Sequence, residues 1–101
     1  MALTKVVTLS ELTPGKGKLV VVNDRRIALF RDGTKVYAID DTCPHRGGPL
    51  SDGICREGQV MCPWHAARFD LATGAHLCPP ARSGVQPFTV QVTGEDVEID
   101  I

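Results

Sequence analysis

The chain is 101 residues long, 43% hydrophobic and 23% charged, with 11 Lys+Arg set against 12 Asp+Glu for a formal charge of -1. That length suits one compact domain, residues 1–101, and is too short for two. The charge balance argues against nucleic acid or an anionic membrane as the main partner, because either needs a clustered basic face.

The opening segment, MALTKVVTLSEL, lacks a basic region joined to an apolar stretch and a small-residue cleavage site, and no apolar run approaches the length of a membrane span. A cytoplasmic location is expected, where thiols stay reduced. The four cysteines are then expected as ligands or buried thiols rather than disulfides. Short β-branched or aromatic runs follow in order: KVVTL (5–9), KLVVVN (18–23), RIALFR (26–31) and KVYAID (35–40), parted by Pro14-Gly15, Asn23-Asp24 and Asp32-Gly33. After the middle of the chain come QVMC (59–62), ARFDL (67–71) with the Ala72-Thr73-Gly74 turn, PFTVQV (87–92) and DVEIDI (96–101), the last two joined by Thr93-Gly94-Glu95. Nowhere do apolar residues recur over the length a helix needs. The spacing predicts an all-β fold, a small barrel or sandwich. Residues 43–53, 62–66 and 78–85 are rich in Cys, His, Pro and Gly, which makes them loops able to meet at one end of the sheets.

Chemistry concentrates in two of those loops. Cys43-Pro44-His45 has the form C-x-H and Cys62-Pro63-Trp64-His65 the form C-x-x-H, with sixteen residues between His45 and Cys62. A lone cysteine is usually a buried thiol and a lone histidine a surface or hydrogen-bonded side chain. Two of each in paired short loops instead make a four-ligand metal site. Zinc and an iron-sulfur cluster are both compatible with Cys2His2, so a zinc-stabilised, non-redox interaction module is one reading. Pro44 and Pro63 fix φ beside the candidate ligands, and Gly47 and Gly48 can bring backbone N–H groups close to sulfur.

The whole pattern, Cys-Pro-His-Arg-Gly-Gly-Pro-Leu followed by Cys-Pro-Trp-His, resembles the Rieske iron-sulfur proteins, specifically the small soluble Rieske-type ferredoxins. The resemblance extends from about Val6 to Ile99 and includes VYAIDDTCPH, LSDG and FDLATG. It implies a Rieske-like β-sandwich or barrel with a cluster-binding loop subdomain at about 43–53, 62–66 and 78–82. It also implies one 2Fe-2S cluster, with Cys43 and Cys62 on one iron and His45 and His65 on the other. Neutral imidazoles in place of two thiolates make such a site less negative and raise its potential, as is general for Rieske centres.

Departures from the family pattern carry information. High-potential members have an extra cysteine in each loop, joined by a disulfide, where this chain has Gly48 and Trp64. No such clamp can form, and Cys55 and Cys78 are expected as free buried thiols. Those members also continue the second loop with a serine and a tyrosine that donate to sulfur; Ala67 and Phe69 stand here, which implies a lower potential. Cys78-Pro79-Pro80-Ala81 resembles the loop that covers the cluster.

An enzyme active site is not expected. A Rieske oxygenase also needs an iron held by two histidines and a carboxylate, and only His76 remains once His45 and His65 are used. A Gly-rich fingerprint for flavin or nicotinamide is absent. The resemblance implies a one-electron carrier between a flavoprotein reductase and a terminal oxygenase. Its alternative is the small subunit of an NAD(P)H-dependent nitrite reductase, with the large subunit as partner. Trp64 and Pro80 are the expected apolar centre of a docking patch, with Arg46 and Arg68 at its rim.

Overall fold

The structure is a computed structural model that describes residues 3–33, 35–41, 49–62, 68–75, 77 and 84–100. The described residues form ten strands: β1 (Leu3–Thr8), β2 (Gly17–Val22), β3 (Arg25–Asp32), β4 (Lys35–Asp40), β5 (Ile54–Arg56), β6 (Gln59–Met61), β7 (Arg68–Asp70), β8 (Pro87–Phe88), β9 (Val90–Thr93) and β10 (Asp96–Asp100). They pair antiparallel in three sheets, ordered β1-β10-β9, β2-β3-β4-β8 and β5-β6-β7. The all-β expectation holds, and among the described residues the helical content is confined to 3-10 turns at Leu9–Glu11 and Leu50–Asp52. Among the described residues, no helix is long and apolar enough to cross a membrane.

The β2-β3-β4-β8 sheet lies between the other two, and the reason is written in β3. Ile27 and Leu29 point into one core with Val7, Leu12, Ala38, Val97 and Ile99. Ala28 and Phe30 point into a second core with Ile39, Leu50, Val60, Phe69 and Leu71. Side chains alternate along a strand, so a strand buried on both faces must be apolar without interruption, which is what IALF supplies. The first core joins the central sheet to β1, β9 and β10; the second joins it to the small β5-β6-β7 sheet that carries the candidate site.

Two hairpins are closed by two-residue turns with positive φ. Asn23 (φ 51) and Asp24 (φ 65) join β2 to β3, whose last paired residues are Val22 and Arg25. Glu57 (φ 54) and Gly58 (φ 76) join β5 to β6 across the Arg56–Gln59 pair. Such turns match the right-handed twist of the strands, and Asn, Asp and Gly tolerate them best.

The structure revises three sequence expectations. PFTVQV, read as one strand, is two: Pro87–Phe88 extends the central sheet against Ala38–Ile39, and Val90–Thr93 pairs with β10 in an outer sheet. Thr89 marks the change of sheet, and a corner of that kind leaves no break in hydrophobic alternation. The segment 43–53, read as loop, ends in the 3-10 turn Leu50–Asp52, with Leu50 fully buried. Ile54–Arg56 forms the unforeseen strand β5, three residues being too short for alternation to register.

Candidate functional site

The candidate site is built at the end of the β5-β6-β7 sheet opposite the Glu57-Gly58 turn. Three chain segments converge there, and each is fastened at its base. The first follows β4. Asp41 accepts a hydrogen bond on its carbonyl from Leu50 N (2.6 Å) and one on its Oδ1 from Ser51 N (2.8 Å). The chain is thereby closed on itself across residues 42–48. Gly53, next along, packs so tightly on the Met61 carbonyl that a Cβ at this position would overlap it. That contact ties the first segment to β6.

The second segment lies between β6 and β7, with Met61 and Arg68 paired at its base. Cys62, immediately after β6, is 1% exposed and belongs to the apolar cluster with Leu50, Val60, Phe69 and Leu71. The third segment is anchored to the second, because Leu77 N donates to Arg68 O (2.8 Å). Its approach is shaped by Asp70, whose Oδ1 accepts from Ala72 N (2.8 Å) and Thr73 N (3.1 Å). Its return is held by Gly74, whose N–H donates to Asp70 O and whose carbonyl accepts from Val85 N, both at 2.7 Å. Gly74 has φ +77, and its Cα faces the Val85 carbonyl with no space for a Cβ.

Of the four residues expected as ligands, Cys62 stands at the mouth of this arrangement. Cys43, His45 and His65 lie outside the described residues, as do Pro44, Arg46, Gly47, Gly48, Pro63, Trp64, Ala67, His76, Cys78 and Pro80. Gly53, Cys62, Arg68 and Leu77, which flank the expected loops, lie at that end of the sheet, whereas Val85 is held beside Gly74 and Asp70 toward the other end. Among the described residues, no group of three or more His, Cys, Asp or Glu is placed to hold a metal elsewhere. Cys55 is a buried free thiol, as expected: it is 4% exposed, and its Sγ donates to Arg31 O at 3.6 Å. Burial first, and the negative charge of Asp32 second, push its pKa above the ordinary value. Arg68 is exposed and Phe69 fully buried. Beside Cys62, the outer face of the small sheet presents Ile54 and Met61, cross-strand partners that line a groove of about 600 Å³ with Arg56 and Arg68.

Two residues important to this geometry were missed by sequence reasoning. Asp41, within VYAIDDTCPH, is assigned no role of its own from the sequence, yet it is 1% exposed. Gly74 reads as an ordinary turn glycine, and its contact with Val85 carries no local signature. The signals for Asp41 were its place in the resembling segment VYAIDDTCPH and its position just after β4, two residues before a candidate ligand.

A family model for the Rieske [2Fe-2S] domain matches residues 2–96. This chain belongs to the Rieske [2Fe-2S] domain family. Among curated Rieske relatives, the ferredoxin component of the naphthalene 1,2-dioxygenase system of Pseudomonas aeruginosa is 34% identical over 95 residues, covering 94% of this chain and 91% of its own. Among solved structures, the ferredoxin of carbazole 1,9a-dioxygenase from Nocardioides aromaticivorans IC177 superposes with a TM-score of 0.91 at 33% identity, covering 98% of this chain and 97% of its own. A Mycobacterium tuberculosis structure described as an NADH-dependent nitrite reductase small subunit superposes with a TM-score of 0.85 at 28% identity, covering 97% and 93%.

The Rieske domain carries one 2Fe-2S cluster, and the described residues fit it. A cysteine enclosed among apolar side chains is a poor place for a bare thiolate and a good one for a thiolate neutralised by metal. Cys62 occupies such a place, at the point where the three fastened segments meet.

Proposed function

We propose that this protein is a Rieske-type ferredoxin, a one-electron carrier that accepts an electron from a flavoprotein reductase and delivers it to a terminal oxygenase in the cytoplasm. The observation that carries this reading is the likeness to the ferredoxin component of a dioxygenase system, which covers 94% of this chain and 91% of that protein. In this reading residues 1–101 are a single domain with cluster-binding loops at about 43–53, 62–66 and 78–82. Cys43 and Cys62 hold one iron, and His45 and His65 hold the other. When bound, the cluster takes up and gives back one electron with no bond made or broken in the protein.

The chain's own residues keep that exchange cheap. Hydrogen bonds to Asp41, the Met61–Arg68 pair and the Gly74–Val85 contact brace the bases of the three loops, so little has to move when charge changes. The enclosed cluster of Leu50, Val60, Phe69 and Leu71 excludes water from the inner side of Cys62. A second reading, the small subunit of a nitrite reductase, is favoured by the likeness to the mycobacterial structure.

The absorption spectrum of aerobically purified protein, with iron and sulfide analysis, tests the carrier reading. Red-brown colour bleaching on addition of one electron supports it. A colourless protein holding zinc overturns it in favour of a non-redox module. Electron delivery to an aromatic-ring oxygenase, set against delivery to a nitrite reductase large subunit, then separates the two partner readings.

A further inference from the structure

Among the described residues, Asp41 is one of two buried polar or charged residues, with Ser51 the other. Its backbone and side chain are engaged at four places. Its N–H donates to Arg26 O at 3.1 Å and its carbonyl accepts from Leu50 N at 2.6 Å. Oδ1 accepts from Ser51 N at 2.8 Å, and Oδ2 lies 3.7 Å from Arg26 Nε. The Arg26 side chain is 59% exposed, whereas that of Asp41 is 2% exposed. Among the described residues, the cation paired with this carboxylate is therefore largely in water, where its charge is screened.

Burying a carboxylate is costly, and a neutral acceptor could satisfy Ser51 N at lower cost. Fold stability alone is a weak reason for a charge at this place. Asp41 stands two residues before Cys43, and its bonds to Leu50 and Ser51 close the mouth of the 42–48 segment. We propose that Asp41 is a positioning residue of the cluster site, fastening the mouth of the first ligand loop and placing a buried carboxylate beside it. This rests on the ligand assignment of Cys43 and its partners. The two roles separate by atom: the bond to Ser51 N holds the loop, and the net charge opposes reduction, because reduction adds a negative charge nearby.

The test uses the cluster-loaded protein and four variants. Asp41→Asn keeps an acceptor for Ser51 N and removes the charge. It should retain iron, keep the electron paramagnetic resonance signature of the reduced protein, and favour the reduced form by up to about tenfold, which is about 59 mV for one electron. Arg26→Gln removes the exposed cation and should move the potential the opposite way by a smaller amount. Asp41→Ala removes both roles and should lose iron to a chelator several-fold faster than Asp41→Asn. A merely structural residue would not give potential shifts of opposite sign at Asp41 and Arg26. Wild-type potential and chelator half-life in both Asp41 variants overturn the proposal, as does movement of Asp41→Asn and Arg26→Gln in the same direction. Cys43→Ala reports on the ligand assignment by itself. Full iron content in that variant overturns the assignment and this inference together, whereas iron loss there beside wild-type Asp41 variants overturns this inference alone.

Discussion

Replacing Gly74 by alanine should be among the most damaging single-methyl changes available in this chain. Gly74 sits at φ +77, and a Cβ there would run into the backbone carbonyl of Val85, which no rotamer change can move away. Gly94 provides the control, because it has φ +59 and nothing within 4 Å of where its Cβ would stand. In Gly94→Ala the left-handed backbone costs about 1 kcal/mol, and the stiffer unfolded chain returns roughly half of that or more. Gly74→Ala carries the same backbone cost together with an overlap that displaces Val85. That displacement breaks the Val85 N to Gly74 O bond of 2.7 Å, worth about 1 kcal/mol, and adds packing strain of about 1–3 kcal/mol. The expected loss is about 3 kcal/mol for Gly74→Ala, against less than about 1 kcal/mol for Gly94→Ala. For a domain of this size that is a fall in Tm of roughly 12–24 °C against a few degrees. Thermal unfolding followed by circular dichroism reads both variants under one buffer. Equal, small shifts in the two would show that the Gly74–Val85 approach is not tight and that the return of the third segment is not held there.

The other predictions use different readouts. Cys55 should resist alkylation in the folded protein at pH 8, slower than in denaturant on the order of a hundredfold; labelling at the rate of an exposed thiol would contradict its burial. Because its folded pKa is raised above the ordinary 9.0, the neutral thiol supports the fold fully below that pH and the support is lost as pH rises through the folded value. A Cys55→Ala variant should therefore show a weaker alkaline decline in denaturant midpoint than the parent. Phe69→Tyr places a hydroxyl in the fully enclosed cluster that contains Cys62, and a hydrogen bond to sulfur worth about 1 kcal/mol should raise the potential by about 40 mV; voltammetry showing no rise with the cluster intact would mean the hydroxyl bonds elsewhere. His65→Ala should lose iron and speed hydrogen exchange at the amides of Leu50, Ser51, Leu77 and Val85 more than at those of β2 and β3, since metal binding supplies folding energy to the segments they fasten. Equal protection of these amides with and without the cluster would remove that coupling.

Much of this protein is local chemistry and could be read from the chain alone. KVYAID occupies β4 residue for residue, Asn23-Asp24 forms the tight turn its composition demands, and IALF has the unbroken apolar character of a strand covered on both faces. The two Cys-x-His-type motifs were legible for the same reason, since ligand type and spacing are properties of adjacent residues. What lies beyond the sequence depends on partners distant along the chain. Leu3 pairs with Asp100, a join between chain ends that neither strand announces. PFTVQV reads as one strand because alternation continues through Thr89 while the hydrogen-bonding partner changes from β4 to β10. The burial of Asp41 depends on Leu50, Ser51 and Arg26, which close around it only in the fold. Gly74 looks like any turn glycine until Val85 arrives from across the third segment. Periodicity and turn chemistry are set by neighbours a few residues apart, whereas burial of a charge and close approach of two backbones exist only once the sheets have stacked, which is why the Cys-x-His and Cys-x-x-His motifs stand out in the sequence and the bonds at Asp41 and Gly74 do not.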